Sequence, residues 1–310
     1  MSESRPRKPR FRRSSDHPPL QLTERDFLIL HQISIHRFLR SDHVRKLIEG
    51  SEQHLTRRLG RLYHAGLVDR PRQQRSLAEG TGSFVYCLTE RGRKTLLHRG
   101  ERTYATAPRI RQISTGLQLG HDLRVTDIVV TLRMAALRDG HTFHLHHEWS
   151  PVECHHREET LCALKWRIRT SGHGSLWVIP DAAFSIQWSH GGESYFLLEV
   201  DRGTMPVNRT SRKQTSFVRK VDAYRETRSI GVLWKRWQVP GFRVLVVTES
   251  ANRRRSLQAG TADCFRYRKS NMFLFAVAGE ILGSEDPLQP IWEDCAKQPT
   301  ALVPVSSTES

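Results

Sequence analysis

Two apolar, strand-like runs joined through a glycine pair constrain this chain more than any other feature. Ile179-Pro180-Asp181-Ala182-Ala183 is followed by the turn-like Ser189-His190-Gly191-Gly192 and then by Tyr195-Phe196-Leu197-Leu198-Glu199-Val200-Asp201-Arg202-Gly203. Each acid stands in or beside an apolar alternating run of the kind that forms a β-strand, and a short glycine-containing link makes a hairpin the expected connection. Adjacent strands would bring Asp181 and Glu199 near one another. Two carboxylates at one end of a sheet make a seat for a divalent cation, because hard cations take oxygen ligands and can then clamp a phosphodiester. The same spacing also fits a strand-end aspartate and a solvated glutamate with no shared task.

Charge indicates what such a chain meets. Its 49 Lys and Arg residues outnumber 32 Asp and Glu residues, a formal charge of +17, and the pI is near 10.3, so the expected partner is a polyanion. The first 110 residues carry 23 basic and 11 acidic side chains, a net +12. Arginine dominates this excess, and its planar fork suits phosphates and guanine edges better than the point charge of lysine does. The five cysteines, Cys87, Cys154, Cys162, Cys264 and Cys295, are scattered and form no C-x-x-C pair, which argues against a disulfide framework and fits a reducing, cytoplasmic setting. No stretch approaches the ~18 apolar residues of a spanning helix, and no apolar run follows the basic N-terminus. Neither membrane nor secretion is expected.

The pattern divides the 310 residues into a series of segments. Residues 1–21 include Arg5-Pro6-Arg7-Lys8-Pro9-Arg10-Phe11-Arg12-Arg13 and read as a disordered basic arm, either a DNA-tracking tail or a solubilising terminus. Residues 22–103 read as a winged helix-turn-helix domain. Thr23 with Asp26 resembles a capping box ahead of the stripe Phe27, Leu30 and Ile33. A second helix starts after the cap Ser41, runs through Val44, Leu47 and Ile48 and stops at Gly50. The third starts after Ser51 and runs through Leu55, Leu59, Leu62 and Tyr63 to a C-cap-like Gly66. Two short strands, Leu67 to Arg70 and Ser83 to Leu88, flank a polar loop like a wing, and a further helix opens at Thr89. If the third helix enters a major groove, its exposed face offers Gln53, His54, Arg57, Arg58 and Arg61, and the wing offers Arg70, Arg72 and Arg75. A solvated helix face, or a winged helix used for protein contacts, would show the same pattern.

Residues 104–119 read as a linker. Residues 120–285 then show a helix from about Asp122 to Leu137, a strand near Phe143 to Trp149, an irregular polar insert, the Asp181 and Glu199 strands, a helix, a strand from Phe242 to Thr248, and further helix. That is an α/β (α+β) order. Residues 286–310 turn rich in Pro, Ser and Thr and read as a C-terminal tail.

The α-β-β-β-α-β order, with Pro180-Asp181 on the second strand and Glu199 on the third, resembles the PD-(D/E)XK nuclease superfamily. The elements Gly120-His121-Asp122-Leu123-Arg124-Val125-Thr126-Asp127, Pro180-Asp181-Ala182, Leu198-Glu199-Val200-Asp201-Arg202-Gly203-Thr204 and Lys220-Val221-Asp222-Ala223-Tyr224, behind a winged helix, resemble the replication-relaxation family of bacterial plasmid and mobile-element proteins. The resemblance spans about Leu22 to Cys264. It implies that Asp181 and Glu199 are ligands of Mg or Mn, with the Val200 carbonyl as a third. It also exposes a departure, because active nucleases of the superfamily carry lysine two residues after the glutamate and this chain carries Asp201. Aspartate cannot steady the developing negative charge as lysine would. Lys220 could supply the ammonium from the following helix, or Asp201 could be a further ligand. Otherwise Asp201 and Arg202 form a structural ion pair and the domain is a catalytically silent platform. His121 is either a site base or ligand, or a packing residue at the start of its helix.

Other chemistry is weakly supported. His144, His146 and His147, with Cys154, His155, His156 and Cys162, invite a zinc reading but match no paired-ligand spacing. Phosphate-loop, dinucleotide and nucleophile-elbow motifs are absent. Tyr224 reads as a packed helix residue. Arg253-Arg254-Arg255 either contacts DNA backbone near the acidic pair or is a solvated helix start. The expected function is DNA binding, with double-stranded DNA and plasmid replication or mobilisation proteins as partners. An active Mg- or Mn-dependent endonuclease and a winged-helix transcription regulator are the alternatives.

Overall fold

The computed structural model describes residues 11–14, 19–76, 83–100, 116–149, 164–170, 174–203, 206–207, 216–265 and 270–304. The molecule is mixed α/β, as expected, and divides into two compact units, Met1–Val130 and Thr131–Ser310. The division falls within one long helix. No helix among the described residues is long and apolar enough to cross a membrane.

The first unit starts with α1 (Glu24–His36), β1 (Leu39–Arg40), α2 (Ser41–Leu47) and α3 (Glu52–His64). It continues with β2 (Val68–Asp69), β3 (Val85–Leu88) and α4 (Glu90–His98). Sequence signals set several of these ends. The Asp26 carboxylate accepts from the Thr23 backbone N–H at 2.8 Å, the Ser51 hydroxyl accepts from His54 N, and Gly66 takes the left-handed φ of +74° that ends α3. Leu30, Ile33, Leu55, Leu59 and Leu62 meet Tyr86 and Leu88 in one core. Strand β1 was not expected. It pairs antiparallel with β3, giving the sheet order β1-β3-β2.

Long helix α5 (Gly116–Arg138) begins six residues before the expected Asp122, and Leu119 is fully buried with Phe38, Val85 and Cys87. A buried leucine extends the helix into what reads as linker by sequence. The rest of that linker, 104–115, lies outside the described residues, as do residues 101–103 and the wing segment 77–82.

In the second unit a seven-stranded sheet has the order β12-β11-β10-β9-β8-β7-β4. Its strands are β4 (Thr142–Leu145), β7 (Ala182–Gln187), β8 (Glu193–Asp201), β9 (Arg243–Thr248), β10 (Phe273–Val277), β11 (Trp292–Glu293) and β12 (Pro299–Thr300). The expected hairpin is β7–β8, in register Ala182↔Leu198, turned through Gly191 and Gly192 at φ +101° and +80°. Strands β8, β9 and β10 are parallel, so each crossover needs a helix layer. Helices α6 (Phe217–Ser229), α7 (Val232–Trp237) and α8 (Ala251–Cys264) supply it, and α9 (Ala278–Gly283) follows β10. Leu197, Val244, Val246, Phe273 and Phe275 pack there against Val221, Tyr224 and Leu257.

Three segments depart from the sequence reading. The polar insert contains an ordered antiparallel pair, β5 (Trp166–Thr170) and β6 (Gly174–Val178), whose inward Trp166, Ile168 and Val178 join the core. The arm is docked at its described end, where Arg13 bonds the Tyr63 carbonyl at 3.0 Å and pairs with Asp69 and Phe11 meets Phe84 edge-on. Its basic run before residue 11 lies outside the described residues. The C-terminal stretch is no tail as far as residue 304, because β11 and β12 extend the sheet and Leu288, Trp292 and Leu302 are fully buried.

Candidate functional site

Strand alternation puts Leu197, Glu199 and Asp201 on one face of β8. Leu197 packs in the core beneath the helix layer, so Glu199 points into that layer and Asp201 stands at the strand's end. Asp181 precedes β7 and continues its ladder, its N–H donating to the Leu198 carbonyl at 2.9 Å. Its carboxylate accepts from the Val200 N–H at 2.8 Å. The hairpin therefore brings Asp181 and Glu199 together, as the spacing implies.

Helix α6 completes the cluster. Lys220 and Tyr224 are four residues apart and share one helix face. Lys220 Nζ donates to Glu199 Oε2 at 2.6 Å and the Tyr224 hydroxyl donates to Glu199 Oε1 at 2.5 Å. Burial raises the Glu199 carboxyl above the ordinary carboxylate range, and the Asp181 charge adds to this, while Lys220 and Tyr224 pull against it. Burial would lower the Lys220 ammonium, but Glu199, Asp181 and Asp201 outweigh it and hold it above its usual value. Burial, followed by Glu199 and Asp181, raises Tyr224 well above an ordinary phenol. With both carboxylate oxygens accepting from donors, the ion pair is the state this geometry supports at neutral pH. Sequence reasoning treated Tyr224 only as packing. The i, i+4 spacing from Lys220 was the signal that it also reaches the glutamate.

Asp201 does not pair with its neighbour Arg202. Its partner is Arg253 at the start of α8, bound through Nε at 2.6 Å and Nη2 at 3.0 Å, and it also accepts from the Gly203 N–H at 2.9 Å. The two-pronged geometry is the strongest form such a pair takes. Arg254 pairs with Glu280 and Glu293. The arginine run is thus largely occupied by intramolecular partners. His121 lies in α5, within the first unit.

The donors do not fit a divalent metal as they stand. Asp181 Oδ2 accepts from Val200 and both Glu199 oxygens accept, from Lys220 and Tyr224, and an ion would meet the Lys220 ammonium at Glu199. Among the described residues no group of three or more His, Cys, Asp or Glu could hold a metal. Of the zinc candidates, His144 ends up near Glu148 at 3.9 Å and His146 and His147 lie in a 3-10 turn. Cys154, His155, His156 and Cys162 lie outside the described residues.

In the first unit, α3 buries Leu55, Leu59, Leu62 and Tyr63 and exposes Gln53, Arg57 and Arg61, with His54 half-buried. Arg58 departs from the expected exposed set. It is buried and bonds Asp26 of α1, with Nε on Oδ1 at 2.7 Å. Its position in the apolar stripe, between Leu55 and Leu62, was the signal for this. Arg70 is half-buried, 4.2 Å from the Tyr63 ring and 4.3 Å from the Phe84 ring, with a hydrogen bond to the Tyr86 hydroxyl. Arg72 and Arg75 are exposed, and Arg75 lies over Phe11 at 4.5 Å.

A family model described as replication-relaxation matches residues 30–239, a stretch that includes α3, Asp181, Glu199, Asp201, Lys220 and Tyr224 and stops short of Arg253. No curated protein and no solved structure matches the chain.

Proposed function

The chain belongs to the replication-relaxation family, and from that membership we propose that it binds duplex DNA in the replication, maintenance or mobilisation of a plasmid or other mobile element. In this reading the first unit is a winged helix. Helix α3 enters the major groove with Gln53, Arg57 and Arg61, and the arm, Arg72 and Arg75 follow the backbone. The observation that carries it is α3 itself, one side of which is core while the other presents arginines a turn apart. The second unit is a PD-(D/E)XK-like core that has become a platform. Lys220 neutralises Glu199 and Arg253 neutralises Asp201, so the acids serve the fold.

Duplex titrations across a salt series test the first part. Arg57→Ala/Arg61→Ala should weaken binding and reduce the slope of log K against log salt by about two. An unchanged slope would remove α3 from the interface. Incubation of supercoiled plasmid with Mg²⁺ or Mn²⁺ tests the second part. Wild type and Asp181→Ala/Glu199→Ala should both leave the plasmid uncut.

One observation favours a second reading, an active endonuclease: Lys220 reaches Glu199 from α6, where a displaced catalytic lysine would stand. Cleavage by wild type and not by the double variant would establish that reading in place of the platform.

A further inference from the structure

Five of the seven tryptophans are nearly or fully buried, while Trp177 is 61% exposed and Trp234 is 50% exposed. Both exposed rings lie in the second unit. Trp177 is on β6, directly across from Arg167 of β5. The β5 alternation turns Trp166, Ile168 and Thr170 inward and leaves Arg167 and Arg169 outward. Exposed Lys165 precedes them, its Nζ 5.8 Å from the Trp177 ring centre, the outer limit of a cation–π contact. The outer face of this ribbon is therefore a row of cations beside an open indole.

The ribbon stands on a rigid base. Trp166 donates from Nε1 to Thr227 Oγ1 at 2.8 Å and meets Tyr224 and Trp237 edge-on. Arg236 of α7 donates to the Lys165 carbonyl at 2.8 Å, which ties the short helix bearing Trp234 to the start of β5. The inner face is thus fixed to α6, the helix that supplies Lys220 and Tyr224 to Glu199. The outer face is covered by nothing among the described residues.

We propose that the outer face of the β5–β6 ribbon is a binding site for single-stranded nucleic acid, in which a base stacks on Trp177 while Lys165, Arg167 and Arg169 follow the phosphates. Charge complementarity selects a polyanion, and the exposed ring selects one with unpaired bases, because a duplex keeps its base faces stacked on one another. An aromatic beside a line of cations is the arrangement by which sheets hold single strands without reading sequence. This site is separate from the duplex contact assigned to α3 and does not depend on it.

The test uses the full-length protein with labelled oligothymidylate, oligouridylate and a duplex of matched length, followed by anisotropy and tryptophan fluorescence. Single strands, DNA or RNA, should bind with quenching of the indole emission. Trp177→Ala should weaken single-strand binding by at least about fivefold, and Trp177→Phe should retain most of the affinity while losing most of the quench. Arg167→Ser/Arg169→Ser should flatten the salt dependence of single-strand binding by about one to two. Duplex binding, weakened in Arg57→Ala/Arg61→Ala, should be unchanged in all three ribbon variants. Equal single-strand affinity in wild type and Trp177→Ala would overturn the proposal, as would an unaltered salt slope in the arginine variant. Because the substituted side chains are exposed, circular dichroism melts should match wild type. Weakened duplex binding in α3 variants alone bears only on the first unit.

Discussion

At the scale of single residues, buried charge is the main theme. Asp26 and Arg58 lie almost entirely out of water, and removal of one partner strands the other, a cost of about 3–5 kcal/mol. Asp26→Asn should therefore destabilise the first unit by roughly that amount at neutral pH. Burial tends to raise the Asp26 carboxyl, but its hydrogen bonds from Arg58 and Thr23 prevail and hold it below its ordinary value. A depressed carboxyl contributes stability that is present above its unfolded pKa and is lost as pH falls through the folded one. Thermal melts should thus show wild type losing stability below about pH 4, and Asp26→Asn showing a shallower acid limb. The buried Tyr224 hydroxyl supports a different acid. Tyr224→Phe removes one donor from Glu199 at a cost of about 1–3 kcal/mol, and should raise the Glu199 pKa further, to be read by carboxyl-detected NMR titration.

At the scale of elements, α4 sits tightly against Leu67 and Leu88 at Gly92. A Cβ at Gly92 would lie 2.2 Å from the Leu67 carbonyl oxygen and 2.7 Å from a Leu88 methyl. The carbonyl is backbone and cannot swing aside, so Gly92→Ala should force α4 outward and cost about 1–3 kcal/mol in chemical denaturation. Helical periodicity made α1, α3 and α4 legible in the sequence, and the glycine pair with its flanking apolar runs did the same for β7–β8. Two-residue β1 carries no periodic signal at all. The β5–β6 ribbon does alternate, but with arginine at its outward positions, and its charge disguised a strand as a polar insert. The acidic pair was legible because hairpin register is local. The partners of Asp201 and Glu199 were less so, since Arg253 comes from an element 52 residues further on, a separation that sequence alone does not close.

At the scale of the whole molecule, the last strands are part of the second unit. Trp292 donates to the Pro287 carbonyl at 2.9 Å, and Leu302 N–H donates to the Leu288 carbonyl at 2.8 Å. Burial of each large apolar side chain is worth about 1.5–3 kcal/mol. Deletion of residues 286–310 should lower the melting temperature markedly and, by baring the edge of β10, promote self-association visible in size-exclusion chromatography. The clamp between Asp201 and Arg253 also restricts substitution. Lysine at position 201 alone would set an ammonium against a guanidinium that is only 18% exposed, a cost with nothing on the strand to offset it. Acceptance of a cation at position 201 then requires a second, coordinated change in an element far away in the chain. The pair works as a mutual lock, in which each side chain constrains what can stand at the position of the other.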